Sequence, residues 1–167
     1  YWDWLDKLGI SKNLDTDLFE STAGQLKSKD VFLRQSIEPA VASFGKGFSI
    51  SPLKLAQLHA VLANGGTEVI PHVTLNFKDR LQNPREEIFS DEVSRIVLEW
   101  MESVVDKGSG AGAKIEGYRI GGKTGTSQKA INGRYTSKKV CSFVATFPID
   151  KPRYVVRVVI DEPSKAF

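Results

Sequence analysis

The segment Gly121-Gly122-Lys123-Thr124-Gly125-Thr126-Ser127 concentrates residues whose types and spacing could do chemistry. On an extended strand, the Lys123 ammonium and the neighbouring Thr124 hydroxyl could hold the terminal carboxylate of a peptide, because charge-assisted hydrogen bonds to carboxylates are strong. Gly125 has no side chain, so the backbone of a ligand could lie against the strand edge there. The segment therefore predicts a carboxylate-binding site on a strand.

A second interpretation of the same segment is a phosphate-binding P-loop. Gly117 to Thr124 matches the required order of one glycine, four further residues and Gly-Lys-Thr. A P-loop follows a buried strand and opens a helix whose N-terminus holds the phosphates. Here glycines and a charged turn precede the segment, and Gly125 to Tyr135 has no helical period. Nucleotide binding, with Val158 to Asp161 as the magnesium-holding strand, is thus the remote alternative.

The elements that must position this segment begin with helices. Leu5 and its apolar neighbours predict a short helix that ends at Gly9, and a second helical piece is expected near Leu33–Phe44. Ser51-Pro52 is a serine N-cap followed by proline, and the helix it starts should be well buried and stop at Asn64-Gly65-Gly66.

The clearest predicted helix starts at the N-cap Ser90 and runs to Asp106. Its apolar residues recur at i, i+3, i+4 and i+7. We expect the aromatic residue and the methionine among them to be core residues; the set is Val93, Ile96, Val97, Trp100, Met101, Val104 and Val105.

After this helix the hydrophobic period changes to two, which predicts three strands, at Tyr118–Ser127, Val140–Phe147 and Tyr154–Asp161. The connections contain Asn132-Gly133 and Pro148–Pro152, so successive strands should pair antiparallel. Helices followed by a three-stranded antiparallel meander predict an α+β fold.

Composition and charge limit the remaining possibilities. The chain has 167 residues and a net charge of +3. Its composition, 41% hydrophobic and 26% charged residues, excludes a largely disordered protein. Between Lys114 and Lys139 there are seven basic residues and one acid. This stretch could suit an anionic partner, but a solvated lysine-rich loop is the simpler interpretation, and nucleic acid is not expected as a partner.

The single cysteine, Cys141, lies in an apolar run and is expected to be a buried structural thiol. Neither Cys141 nor the two histidines have the spacing of a metal site, so no metal is expected.

Several stretches, taken in order, resemble the class B penicillin-binding proteins, the D,D-transpeptidases that cross-link peptidoglycan. The resemblance covers nearly the whole chain, includes the Lys-Thr-Gly strand of that family, and is nearest to its cell-division (septal) branch. The stretches are Tyr1–Ile10 with Thr16-Asp17-Leu18, Ser43–Gly47 with Ser51–Gln57 and Ala63–Gly66, Gly117–Gln128, and Ser142–Val144 with Pro152–Val156 and Asp161–Pro163.

The resemblance implies a role for each residue of the Lys-Thr-Gly-Thr run. Lys123 would belong to the proton and electrostatic network of the active site, and the hydroxyls of Thr124 and Thr126 would meet the substrate carboxylate. The backbone N–H of Thr126 would help to hold the oxyanion, and Gly125 would keep the strand edge open. The fold implied is the serine β-lactamase/transpeptidase-like fold, here incomplete.

The family's nucleophile lies in a Ser-x-x-Lys motif, followed by Ser-x-Asn and then by Lys-Thr-Gly. Letter matches occur at Ser43–Lys46, Ser51–Lys54 and Ser11–Asn13, but the Ser-x-Asn match comes first. The helix-capping position of Ser51 already explains that serine. Residues 1–167 are therefore expected to be the C-terminal portion of a transpeptidase domain, lacking the nucleophile segments and the closing helix, and inactive alone.

The resemblance further implies a serine acyl-enzyme that needs no cofactor, a D-Ala-D-Ala stem peptide as substrate and β-lactams as inhibitors. A membrane glycosyltransferase and division proteins would be partners, at the extracytoplasmic face of a bacterial membrane where an upstream segment would anchor the protein. The alternatives are a penicillin-recognising sensor, a β-lactamase relative, and a non-catalytic interaction module of a division complex.

Overall fold

A computed structural model describes residues 1–18, 21–76, 85–131 and 134–164. The predicted Asn132-Gly133 turn lies outside these ranges. The described helices and strands are α1 (Trp2–Lys7), α2 (Lys29–Arg34), α3 (Ile37–Ala42), α4 (Pro52–Ala63), α5 (Asp91–Lys107), a 3-10 turn (Ala111–Ala113), β1 (Gly121–Ile131), β2 (Arg134–Phe147) and β3 (Tyr154–Asp161).

The three strands form an antiparallel sheet in the order β1-β2-β3, which confirms the predicted α+β fold and meander. The chain divides into two compact units, Tyr1–Leu58 with Glu68–Ile88 and His59–Thr67 with Phe89–Phe167. No helix in the described ranges is long and apolar enough to cross a membrane.

The core of the first unit is made by Leu5, Ile10, Phe32 and Ala42. Helix α1 is confirmed, and Gly9 follows it with a positive φ of 66°, a conformation that glycine adopts without strain. The prediction of a single helical piece near Leu33–Phe44 is wrong in detail. The structure has two helices there, because α2 ends before Gln35 and α3 begins after Ser36.

Helix α4 begins as predicted, since the Ser51 hydroxyl accepts a hydrogen bond from the Lys54 amide (3.1 Å). It is less buried than expected: most of its side chains are half-buried, and the buried row consists of Lys54, Gln57 and Val61. Two of those three residues are polar, so the positions of the apolar residues around α4 did not predict which side of the helix is buried. Burial lowers the pKa of the Lys54 ammonium.

Helix α5 is confirmed, and its Ser90 hydroxyl accepts from the Val93 amide (3.2 Å). Its buried face is Ser94, Leu98, Met101 and Val105. The prediction that Trp100 is a core residue is wrong, because this side chain is 67% exposed. Apolar residues cover more than half of the helix circumference, so periodicity alone could not select the face that packs inward.

Strands β1 and β2 are longer than predicted at the end where they form a hairpin. Beyond Gln128 and Lys139 they continue to pair with each other, while β3 pairs only from Val140 onward. Most residues of this extension are polar, so it carries no alternating hydrophobic signal. At its other end β1 begins at Gly121 rather than at Tyr118.

Gly121 and Gly122 are the points of closest packing in the second unit. A Cβ on Gly121 would lie 2.5 Å from Ile149 Cδ1 and 3.1 Å from Met101 Cβ, on the side of α5. A Cβ on Gly122 would clash with the ring of Phe143. The two glycines therefore let β1 lie tightly between α5 on one face and the Phe143 ring on the other.

We expect Gly121→Ala to lower the free energy of unfolding by about 1–3 kcal/mol, because overpacking forces the helix and strand apart. Gly112→Ala is the matched control, since a Cβ there meets no atom within 4 Å. Urea unfolding of the chain monitored by circular dichroism measures the difference, and equal midpoints for the two variants would contradict this packing.

In the first unit, Asp17 holds residues 73 and 74. Its carboxylate accepts hydrogen bonds from the Thr74 hydroxyl (2.5 Å) and from the amides of Val73 (2.9 Å) and Thr74 (2.7 Å). These bonds, the one from the Thr74 hydroxyl above all, lower the pKa of Asp17 from 3.8 to about 2.

Because the lowered pKa means that the folded state favours the ionised carboxylate, its contribution is complete above the unfolded value of 3.8 and is lost as the pH falls through about 2. We expect Asp17→Asn to reduce hydrogen-exchange protection of the Val73 and Thr74 amides by about three- to tenfold near neutral pH. Asp15→Asn serves as the control, and unchanged protection in Asp17→Asn would show that the carboxylate does not hold this segment.

Candidate active site

The Lys-Thr-Gly-Thr run lies on β1, which is an edge strand of the sheet. Successive side chains of a strand point to opposite faces, so Thr124 and Thr126 share one face while Lys123 and Gly125 share the other. We call the first of these the threonine face. In the paired register it comprises Gly122, Thr124, Thr126 and Gln128 of β1, Lys139, Cys141, Phe143, Ala145 and Phe147 of β2, and Tyr154, Val156, Val158 and Ile160 of β3.

The Lys123 ammonium turns back to the edge of its own strand. Its Nζ donates a hydrogen bond to the Thr124 carbonyl (2.8 Å), which indicates that this carbonyl faces the open edge rather than β2. Because residues two apart on a strand direct their backbone groups to the same side, the N–H of Thr126 should face that edge too. The Lys123 ammonium and the Thr126 N–H are thus expected at the same edge of β1, beside the face of the two threonines.

Gly125 has little structural need to be glycine. A Cβ there would crowd the Ser142 hydroxyl at 2.7 Å, which a small side chain can relieve by rotating, and would meet the Ser142 carbonyl at an ordinary 3.9 Å. The contrast with Gly121 is informative, since Gly121 is crowded by a helix. Packing does not require a glycine at position 125. The missing side chain instead leaves space beside the strand for a ligand.

A pocket of about 500 Å³ lies over the threonine face. Its second wall is the loop after α5, where the Ser109 and Thr124 hydroxyls are hydrogen-bonded (2.9 Å). The lining residues are Ser109, Gly110, Gly112, Ala113, Thr124, Gly125, Thr126, Cys141, Ser142, Phe143, Val158 and Ile160. The pocket is polar beside β1 and apolar beside β3.

Ion pairs hold the connection between α5 and β1. Arg119 donates two hydrogen bonds of 2.7 Å to Glu102, and Lys114 pairs with Asp106 (2.8 Å). The Glu102 carboxylate raises the pKa of Arg119, and the hydrogen bond from Lys114 lowers the pKa of Asp106. These contacts fix the loop that forms the second wall of the pocket.

Ion pairs also neutralise much of the basic stretch from Lys114 to Lys139. Lys129 contacts both Asp161 and Glu162 (2.9 Å each), and Lys138 contacts Glu162 (2.9 Å). With Lys114 and Arg119, four of the seven basic residues have acidic partners. The stretch does not present a continuous cationic surface.

The P-loop interpretation is wrong. A phosphate-binding loop opens a helix directly after its Lys-Thr pair. Here Lys123 and Thr124 lie inside β1, which continues as a strand to Ile131. The exact sequence match therefore does not have the backbone that cradles phosphates.

The serines of the Ser-x-x-Lys letter matches have local structural roles. The Ser51 hydroxyl caps α4, as predicted, and the Ser43 hydroxyl donates to the Ala40 carbonyl (2.7 Å). Both hydroxyls are thus engaged within their own segments of the first unit, as helix-terminal serines commonly are.

Two lining residues were missed or misjudged from the sequence. Ser109 lies in a glycine-rich loop, and its hydroxyl is hydrogen-bonded to that of Thr124. One indication in the sequence was that this loop precedes the Lys-Thr-Gly strand, so that Ser109 could line the site. Cys141 was expected to be a buried structural thiol, but it is half-buried and lines the pocket opposite Thr126. The apolar residues around Cys141 lie on both faces of the sheet, and only one of these faces is covered, so the apolar run does not show that Cys141 is buried.

The chain is similar to known proteins over its whole length. Residues 1–167 match the family model described as penicillin-binding protein transpeptidase domain. A peptidoglycan D,D-transpeptidase FtsI homologue of Mesostigma viride is 42% identical, over 98% of this chain and 31% of that protein. The name of this relative supports the cell-division branch that the sequence resemblance indicated.

Two solved structures are similar over nearly the whole chain. The transpeptidase domain of penicillin-binding protein 3 from Burkholderia pseudomallei is 31% identical with a TM-score of 0.85, over 98% of this chain and 49% of that one. Penicillin-binding protein 3 from Mycobacterium tuberculosis, complexed with aztreonam, is 25% identical with a TM-score of 0.83, over 99% and 40%.

The chain thus spans less than half the length of each of these three proteins. The family model covers every residue, and the helices and antiparallel meander superimpose on the solved transpeptidase domains. This chain belongs to the transpeptidase family of class B penicillin-binding proteins.

Proposed function

We propose that this chain is the C-terminal part of the transpeptidase domain of a peptidoglycan D,D-transpeptidase and that β1 forms the substrate-binding wall of its active site. One observation carries the proposal: the Lys123 ammonium lies at the open edge of β1, beside the face that carries the Thr124 and Thr126 side chains. That set of donors suits the terminal carboxylate of a peptide ending in D-Ala-D-Ala.

The proposed roles follow from the placement of each group. The hydroxyls of Thr124 and Thr126 donate to the substrate carboxylate, and the Lys123 ammonium supplies the positive charge beside it. The edge N–H of Thr126 donates to the oxyanion that forms at the scissile carbonyl. Gly125 leaves space for the substrate backbone along the strand.

The attacking serine is proposed to come from a segment outside these residues, because Ser43 and Ser51 have their hydroxyls engaged locally. The apolar side of the pocket, at Phe143, Val158 and Ile160, offers that segment a surface to pack on. This chain alone is therefore expected to be inactive.

The chemistry proposed is acyl transfer in two steps. The serine oxygen bonds to the carbonyl carbon of the penultimate D-Ala, its proton passes to the leaving amine, and the terminal D-Ala departs. An amine of a neighbouring stem peptide then attacks the ester and releases the serine. A β-lactam would acylate the same serine by ring opening, with its own carboxylate on the threonines.

The setting proposed is the extracytoplasmic face of a bacterial membrane. A membrane glycosyltransferase that makes the glycan strands and proteins of the division complex are the expected partners. Nothing in this proposed chemistry requires a cofactor, since the serine, the lysine and the hydrogen-bond donors supply the proton transfers and the charge stabilisation.

We expect Thr126→Val in the full-length transpeptidase to slow acylation by a fluorescent penicillin about 10- to 100-fold, because a hydrogen bond to a carboxylate is lost. Ser127→Ala is the matched control, since Ser127 is the next residue and points to the opposite face. Second-order rate constants from gel fluorescence measure the effect.

The same assay tests the position of the nucleophile. The full-length protein should be labelled and these 167 residues alone should not. Labelling of the isolated chain at Ser51, or equal rates for Thr126→Val and Ser127→Ala, would refute the proposed site.

A further inference from the structure

The threonine face continues past Thr126 towards the hairpin. The antiparallel register pairs Thr126 with Cys141 and, one step further, Gln128 with Lys139. Directly paired residues point to the same face, and diagonal neighbours such as Thr126 and Lys139 have Cα atoms about 7–8 Å apart. The Lys139 ammonium thus lies within reach of a ligand that starts at the threonines and follows β1.

Lys139 is the one charged residue of the threonine face as defined by the paired register. The lysines around it, Lys129 and Lys138, are bound to Asp161 and Glu162. Lys139 meets Glu162 only through the backbone, where its carbonyl accepts from the Glu162 amide (2.9 Å). Within the described part of the chain, the Lys139 side chain forms no ion pair.

The difference between these lysines follows from strand alternation. Lys138 and Lys139 are adjacent, so their side chains point to opposite faces, and Asp161, which pairs with Val140, lies on the face of Lys138. Glu162 follows opposite Lys139, but its backbone has a positive φ of 49° and its carboxylate contacts Lys129 and Lys138. Lys139 is half-buried on an otherwise neutral face that leads from the proposed carboxylate site. A half-buried cation whose ammonium has no ion pair among the described residues is suited to an anion that arrives with the ligand.

We propose that Lys139, with the Gln128 amide beside it, forms a second anion subsite that binds a carboxylate carried further along the substrate, so that dianionic ligands are preferred. This inference rests on the proposed function, since it takes the first carboxylate to lie at Thr124 and Thr126. In an extended peptide, side chains two residues apart lie about 6.5–7 Å apart on one face, which matches the step from Thr126 to Gln128 along β1. Lys139 lies opposite Gln128 on β2, and its long side chain would reach the ligand across the threonine face.

The substrate class this selects is a stem peptide with a free carboxylate on one of the residues preceding D-Ala-D-Ala. A peptide whose corresponding carboxylate is amidated would bind with one charge contact fewer. The Gln128 amide can donate to the same carboxylate, while Lys139 supplies the charge.

Benzylpenicillin and its α-carboxy derivative, carbenicillin, provide a matched pair of probes, because they differ by one carboxylate on the acyl side chain. The measured quantity is the ratio of their second-order acylation rate constants, carbenicillin over benzylpenicillin, in the full-length transpeptidase. We expect Lys139→Met to lower this ratio about three- to tenfold, the range of a partly exposed charge-assisted contact.

Two further variants keep the test specific. Lys139→Arg should restore the ratio, because it keeps the charge, and Lys138→Met should leave it within about twofold, because that lysine faces the acids. Raising the ionic strength should lower the ratio in the wild type and not in Lys139→Met.

An unchanged ratio in Lys139→Met would overturn the second subsite while leaving the proposed function standing. Failure of the wild type to react with either penicillin would overturn the proposed function, and the subsite with it. An equal fall in the ratio for Lys138→Met would show a general charge effect and would likewise overturn the assignment to Lys139.

Discussion

The close packing around Gly121 and Gly122 is the constraint on which the rest of the second unit depends. Helix α5 and Ile149 approach the strand from one side, and the Phe143 ring approaches from the other. Side chains at either glycine would separate these layers. Since β1 is held there at its start, the alternation of the residues up to Gln128, where the register shifts, is set. Lys123 and Gly125 therefore lie on one face, and Thr124 and Thr126 lie on the other.

The distribution of charge follows from the same strand geometry. Glu102, Asp106, Asp161 and Glu162 bind basic residues of the stretch that contains the site. Lys123 is instead bonded to a backbone carbonyl at the open edge. Of the three basic residues of the stretch without an ion pair among the described residues, Lys123 and Lys139 lie beside or on the threonine face, while Arg134 lies at the hairpin end of β2.

Much of the fold could be predicted from the sequence because its signals are local. Capping serines mark the starts of α4 and α5. Both caps are confirmed, because each serine hydroxyl accepts a hydrogen bond from the amide of the third residue after it. The strands that carry alternating apolar residues were also found. The Lys-Thr-Gly-Thr run was located on a strand because its surroundings lack a helical period, and the structure confirms that choice over a P-loop.

What could not be predicted depends on contacts between distant residues. Trp100 is exposed because it lies on the side of α5 that does not pack on the sheet. Apolar residues cover more than half of the circumference of α5, so the sequence did not show which side packs. The half-buried state of Cys141 and the contact of Ser109 with Thr124 depend on the sheet and the loop being brought together. The hairpin extension is mostly polar and is held by backbone pairing, so it left no pattern to read.

A crystal structure of the full-length protein acylated by benzylpenicillin would show the proposed site in use. We expect an ester on a serine outside these residues, the penicillin carboxylate within hydrogen-bonding distance of the Thr124 and Thr126 hydroxyls, and the ester carbonyl oxygen at the Thr126 N–H. An ester on Ser43 or Ser51, or a carboxylate bound away from the threonine face, would refute the proposed role of β1.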